Sequence, residues 1–161
     1  MNGADILNKF TVERPDRDLG NTIFDRAIRP SLPAEIQHSL FYMKTRHETE
    51  ASRKVTQRVS TSNIPVIVDD PRESSVQALV WYGIQVYSSI GVLCHLTSDD
   101  RDGARLHNAR YSLVAGMAHG MNKPLLMLAE GHALPPIDYR DVIRQYIVVG
   151  FVKTRIKLFL S

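Results

Sequence analysis

The segment that decides the fold runs from Ile90 to Glu130 and reads IGVLCHLTSDDRDGARLHNARYSLVAGMAHGMNKPLLMLAE. It opens on an apolar run, Ile90 to Leu96, and passes through a charged loop containing glycine. A helical pattern follows from about Asn108 to Met121, and a second apolar run covers Pro124 to Leu128. Two short apolar runs around one amphipathic helix predict a βαβ unit whose strands are buried on both faces of a parallel sheet. Within the helix, Leu113, Val114, Met117, Ala118 and Met121 form the expected apolar side. Ser112, Gly116 and Gly120 form a face without bulk, suited to close approach of another backbone. Asn122 is the expected left-handed stop before Lys123 and Pro124.

Working outward from that unit, Ile64 to Val68 reads as a further buried strand. Asp70 as cap, Pro71 at the first helical position and Glu73 behind it resemble a capping box. The helix so started is expected to bury Val76, Leu79, Val80, Gly83, Ile84 and Tyr87. Upstream, Lys9 to Glu13 has the composition of a short strand. Asn21 caps an expected helix that groups Ile23, Phe24, Ala27 and Ile28 and ends at Pro30. Between Pro33 and Ser60 a thin stripe of Ile36, Leu40, Met43, Ala51, Val55 and Val59 lies in a polar stretch. A long exposed helix, inserted at 34–60, is the expectation, with a partly ordered loop as the alternative. Downstream, Val142 to Val149 is expected as an edge strand and 150–161 as a final amphipathic helix. That helix stops inside its apolar pattern, as though leading into a further segment. The fold class is therefore α/β: a single Rossmann-like (flavodoxin-like) domain over 1–161, with a parallel sheet of about five strands flanked by helices.

Composition narrows the function classes. The chain has 161 residues, 43% hydrophobic and 23% charged, with a formal net charge of +3. Interspersed charge of that size gives no basic footprint for nucleic acid. No apolar run approaches the roughly 20 residues that span a bilayer, and the first residues lack the layout of a secretory signal. One cysteine, Cys94, rules out an internal disulfide and suits the reducing cytoplasm. The histidines show no metal-ligand spacing, and no cofactor motif is present.

In an open parallel sheet, ligands sit beyond the carboxyl ends of the strands. The groups expected there are Arg14 and Asp16; Asp69 and Asp70; His95, Ser98 and Asp99; and Glu130 and His132. Asn108, read as the cap of the third helix, would aim its first amides outward, with Arg110 on the first turn. The loop around them is expected to grip a phosphate or carboxylate. Asp69 has two readings, a ribose contact or a structural carboxylate, while Asp70 is expected as a helix cap. Ser112 has no nucleophile elbow and reads as packing, and Cys94 reads as core.

The passage Gly116-Met117-Ala118-His119-Gly120-Met121-Asn122-Lys123-Pro124 resembles the G-x-A-x-A-x-G-K-P helix-to-strand motif of the nucleoside 2-deoxyribosyltransferases and their TIR-type relatives. Ile23-Phe24-Asp25 with Ile28-Arg29-Pro30 is similar to the first helix of that superfamily. The resemblance implies a nucleotide or nucleoside-like small molecule as ligand. It also puts a catalytic glutamate two residues before Gly116, where this chain has Val114, and valine can act as neither nucleophile nor base. The expectation is a ligand-binding sensor or regulatory domain, a homo-oligomer, without the usual carboxylate. Two alternatives stand beside it. One is an enzyme cleaving an N-glycosidic bond with a relocated acid, for which Asp99 and Glu130 are the candidates alongside Asp69. The other is a scaffold that self-associates through 34–60 and the Gly116/Gly120 face.

Overall fold

The computed structural model describes residues 38–72, 77–131, 143–146 and 159. In chain order the elements are β1 (Leu40–Met43), α1 (Glu50–Ser60), β2 (Val66–Asp69), α2 (Leu79–Ser88), β3 (Gly91–Leu96), α3 (Ala104–Gly120), β4 (Leu125–Glu130) and β5 (Ile143–Tyr146). Every strand pair is parallel. The sheet runs β2-β1-β3-β4, with the short β5 added beside β4. The chain is thus an α/β protein built on one parallel sheet.

β1 overturns the expectation of a helical insertion at 34–60. Leu40 to Met43 is a strand paired on both sides, Met43 lying opposite Asp69 on β2 and Cys94 on β3. All four of its residues are buried. Four apolar residues in a row are too few for periodicity to separate a doubly buried strand from part of a helical stripe. The helix in this region begins only at Glu50. Thr49 caps it, with Thr49 Oγ1 accepting from the Ser52 amide at 3.0 Å and Ser52 Oγ accepting from the Thr49 amide at 2.8 Å. Ala51, Val55 and Val59 do form its buried stripe.

Successive strand side chains point to opposite faces, and the helices divide accordingly. Phe41, Met43, Val92, Cys94, Leu96, Met127 and Ala129 pack under α2 and α3. Leu40, Tyr42, Leu93, Leu126 and Leu128 pack against α1 and Phe159. The central strands are buried on both faces, which is why their sequences read as unbroken apolar runs.

The second helix differs from expectation at its start and in its orientation. Among the described residues Asp70 caps no helix, and Glu73 and Val76 lie outside them; its carboxylate holds Lys44 Nζ at 2.7 Å and the Arg72 guanidinium at 2.8 Å, and accepts from the Arg72 amide at 3.0 Å. α2 begins at Leu79, after Ala78, which supplies no side-chain cap. Tyr82, Val86 and Tyr87 face the core, whereas Leu79 and Val80 are exposed. LVWYGIQVYS has no charged residue on any side, so its pattern carries no mark of which face is buried.

α3 starts four residues earlier than expected, after Gly103 with φ +70, and Leu113 lies outside its buried side. Asn122 takes φ +55, the left-handed stop read from the sequence. Lys123 Nζ then donates to the carbonyls of Tyr87 at 2.7 Å and Ser89 at 2.6 Å, closing the last turn of α2. No described helix is long and apolar enough to cross a membrane. The expected elements at 9–13, 21–28 and 150–161, apart from Phe159, lie outside the described residues.

Candidate functional site

Because the strands are parallel, their carboxyl ends share one edge. From β1 the chain steps to β2 on one side, then crosses to β3 on the other, so the order reverses between β1 and β3. The helices leaving these strands lie on opposite faces, the arrangement at which open α/β sheets ordinarily place a ligand crevice. Lys44, Thr45, Arg46 and His47 come after β1 here, and Thr97, Ser98 and Asp99 come after β3. β3 runs two residues further than β1, so His95 and Leu96 pass beyond the β1 pairing.

The amino-terminal half of α3 closes this gap by binding backbone. His107 Nε2 lies 3.0 Å from the His95 carbonyl and donates to it. Asn108 Oδ1 accepts from the Thr97 amide at 3.0 Å, and its Nδ2 donates to the Thr97 carbonyl at 2.9 Å and to Asp99 at 3.1 Å. The Tyr111 hydroxyl donates to the Lys44 carbonyl at 2.6 Å. Asn108 is therefore not the helix cap; it lies one turn inside α3 and fixes the turn after β3. An amide carries one acceptor and two donors, so it can satisfy a whole peptide group where a strand neighbour has run out. Above this floor His47 Nε2 donates to the Asp102 carbonyl at 3.0 Å, joining the β1–α1 loop to the β3–α3 loop.

Two polar clusters flank the crevice. On the β4 side Glu130 is held by Arg101, whose Nε lies 2.7 Å away and whose terminal nitrogen binds the second carboxylate oxygen. The Ser98 amide and the Thr97 hydroxyl each add a contact to Glu130 at 3.4 Å. Burial pushes the Glu130 carboxyl upward, but the Arg101 contacts outweigh it and hold the group below its ordinary value. Glu130 is thus an ionised, positioned carboxylate and a poor proton donor. Ser98 Oγ donates to Asp100 at 3.1 Å.

On the β2 side Asp69 is buried and accepts from the Tyr82 hydroxyl at 3.1 Å. Burial and the Asp69 charge raise the Tyr82 pKa, and Arg110 opposes them. Asp69 and Arg110 therefore meet through Tyr82. Since α3 begins at Ala104, Arg110 stands in its second turn, away from the open amides where it was expected. Asp70 is held well below the carboxylate range, chiefly by its Arg72 hydrogen bond and also by Lys44, against the effect of burial.

Of the residues expected at the site, Ser98, Asp99, Asn108 and Glu130 gather around the turn after β3, and Asp69 joins Arg110 beside β2. His95 is 1% exposed in β3, and burial lowers its pKa to about 4, so its ring is neutral. Arg14, Asp16 and His132 lie outside the described residues. Lys44, Thr45, His47, Tyr82 and Tyr111 were missed; the first three become legible once Leu40 to Met43 is read as a strand, since residues at the carboxyl end of a parallel strand lie at this edge. Val114 lies on the buried side of α3, fully within the core. Among the described residues no group of three or more His, Cys, Asp or Glu could hold a metal ion.

The described residues form an α/β protein on one parallel sheet, with polar side chains gathered where the strand order reverses. No family model matches the chain, and no curated protein matches it.

Proposed function

We propose that this chain is a Rossmann-like, flavodoxin-like domain that binds a nucleotide or nucleoside-derived ligand and acts as a sensor or regulatory module without turnover. The observation that carries the reading is the reversal of strand order between β1 and β3, lined by Lys44 and Thr45 on one side and Thr97 to Asp99 on the other. Doubly wound sheets with this order hold their mononucleotides at that point. The resemblance of Gly116 to Pro124 to the deoxyribosyltransferase and TIR groups supports the same ligand class. Asp99, half-exposed on the turn after β3, is the acceptor for ligand hydroxyls, and Arg110, half-exposed on α3, is the phosphate contact. Absence of turnover is supported by Val114 in the core, by Glu130 tied to Arg101 and by Asp69 buried against Tyr82. A cytoplasmic setting belongs to the proposal and is supported by a single cysteine, which is buried.

A thermal-shift panel of nucleotides, NAD and ADP-ribose tests the reading, followed by calorimetry and chromatography for released base or nicotinamide. Binding without product is expected. Arg110→Ala should weaken a phosphorylated nucleotide by about 1.5–3 kcal/mol and leave the matching nucleoside unchanged. Turnover that disappears in Asp99→Asn or Glu130→Gln would replace the sensor with an enzyme. Silence across the panel would remove the ligand class altogether.

A further inference from the structure

The outward side of α3 is apolar along its centre. Leu106 is 70% exposed and Leu113 54% exposed, Ala109 is exposed, and Gly116 and Gly120 are half-exposed. These five residues recur at alternating spacings of three and four, which places them on one line down the helix. A solvent-facing helix side is ordinarily polar at its centre, whereas this spacing is the seam of a helix pair. The charged groups lie at its borders and ends. Exposed Asp100 and Asp102 precede the amino end, Arg105 flanks the first turn, and His119 and Lys123 stand at the carboxyl end.

We propose that this stripe is the contact between two copies of the chain, paired α3 against α3 in antiparallel fashion about a two-fold axis at Leu113. A two-fold interface must complement itself, and this stripe does so only in the antiparallel sense. With Leu113 on the axis, Leu106 of one copy lies opposite Gly120 of the other, seven residues away on the other side. A projecting leucine then meets a glycine without a side chain, twice. Parallel pairing would instead set Leu106 on Leu106 and leave the two glycines facing each other across a gap. Charge favours the same arrangement. Arg105 falls beside the carbonyls that end the partner's α3, where positive charge is favoured. The carboxyl-edge crevice is not part of the contact, so the proposal stands independently of the ligand.

The test uses the full chain in sedimentation velocity and in oxidative cross-linking. The wild type should sediment as a dimer at micromolar concentration. Leu113→Asp should raise the dissociation constant at least tenfold with an unchanged circular dichroism spectrum, because its side chain is exposed within one copy. Cys94 is the only cysteine of the chain and is buried, so an added cysteine reports on the interface. Leu113→Cys should form a disulfide dimer, and Leu106→Cys mixed with Gly120→Cys should cross-link, whereas Leu106→Cys alone should not. Cross-linking of Leu106→Cys to itself would overturn the antiparallel arrangement. A monomer at all concentrations would overturn the dimer; loss of thermal stability in a monomeric Leu113→Asp would then show that the chain covers the stripe itself.

Discussion

Replacing Asn108 by alanine is the sharpest test of how the crevice is built. The Asn108 amide satisfies both the N–H and the C=O of Thr97 and also binds Asp99. Thr97 is 1% exposed and Asn108 4%, so water does not readily take over. Leaving a buried backbone donor or acceptor without its partner costs about 1–3 kcal/mol each, so the two Thr97 groups together give about 2–6 kcal/mol. The Asp99 contact adds less, because that carboxylate is half-exposed. The competing roles predict different sizes: loss of a helix cap costs about 1 kcal/mol, and loss of a purely ligand-facing side chain costs almost nothing. In a domain of this length each kcal/mol moves the midpoint by about 2–4 °C, so Asn108→Ala should lower Tm by roughly 4–24 °C. Urea titration should show the same loss with an unchanged slope. A fall of less than about 4 °C, the size expected for a lost cap, would refute the peptide clamp and return Asn108 to the cap role that its sequence position suggested.

Two further outcomes rest on buried groups. His95 ionises at about 4 in the folded chain, against an ordinary value of 6.5, because burial disfavours the imidazolium; Glu130 offsets part of this. The unfolded chain therefore binds more protons between these values, so stability is complete above about pH 6.5 and falls as pH drops towards 4, by at most about 1.4 kcal/mol per pH unit. His107 is shifted in the same direction, again chiefly by burial. Denaturation midpoints measured from pH 7 to 4 should fall less steeply in His95→Gln, and an unchanged slope would show that His95 is not the group responsible. Val114→Glu places a carboxylate at a fully buried position of α3. It should destabilise the chain by several kcal/mol and yield no N-glycosidic cleavage. A stable variant that hydrolyses nucleosides would mean that this part of α3 opens to the crevice.

Within Ile90 to Glu130 the sequence alone determined the two strands and the helix between them, because β3 and β4 are buried on both faces and a doubly buried strand must be apolar throughout. It also determined the end of α3, since Asn122 tolerates the left-handed conformation locally, whatever surrounds it. Ala51, Val55 and Val59 were legible for the same kind of reason: a charged helix with one apolar stripe states which side is buried. Tertiary structure decided the rest. Leu40 to Met43 became an inner strand because β2 and β3 hydrogen-bond to both its edges, and pairing with distant residues leaves no local periodicity in a run of four. α2, apolar all round, took its orientation from the sheet beneath it, which drew Tyr82 and Val86 inward and left Leu79 and Val80 outside. Asn108 looked like a cap because capping and peptide-clamping use the same side-chain chemistry; only the position of Thr97, where β3 outruns β1, selected between them. Asp69 met Tyr82 and Arg110 for the same reason, since partners drawn from three elements converge at an edge that exists only once the sheet is assembled.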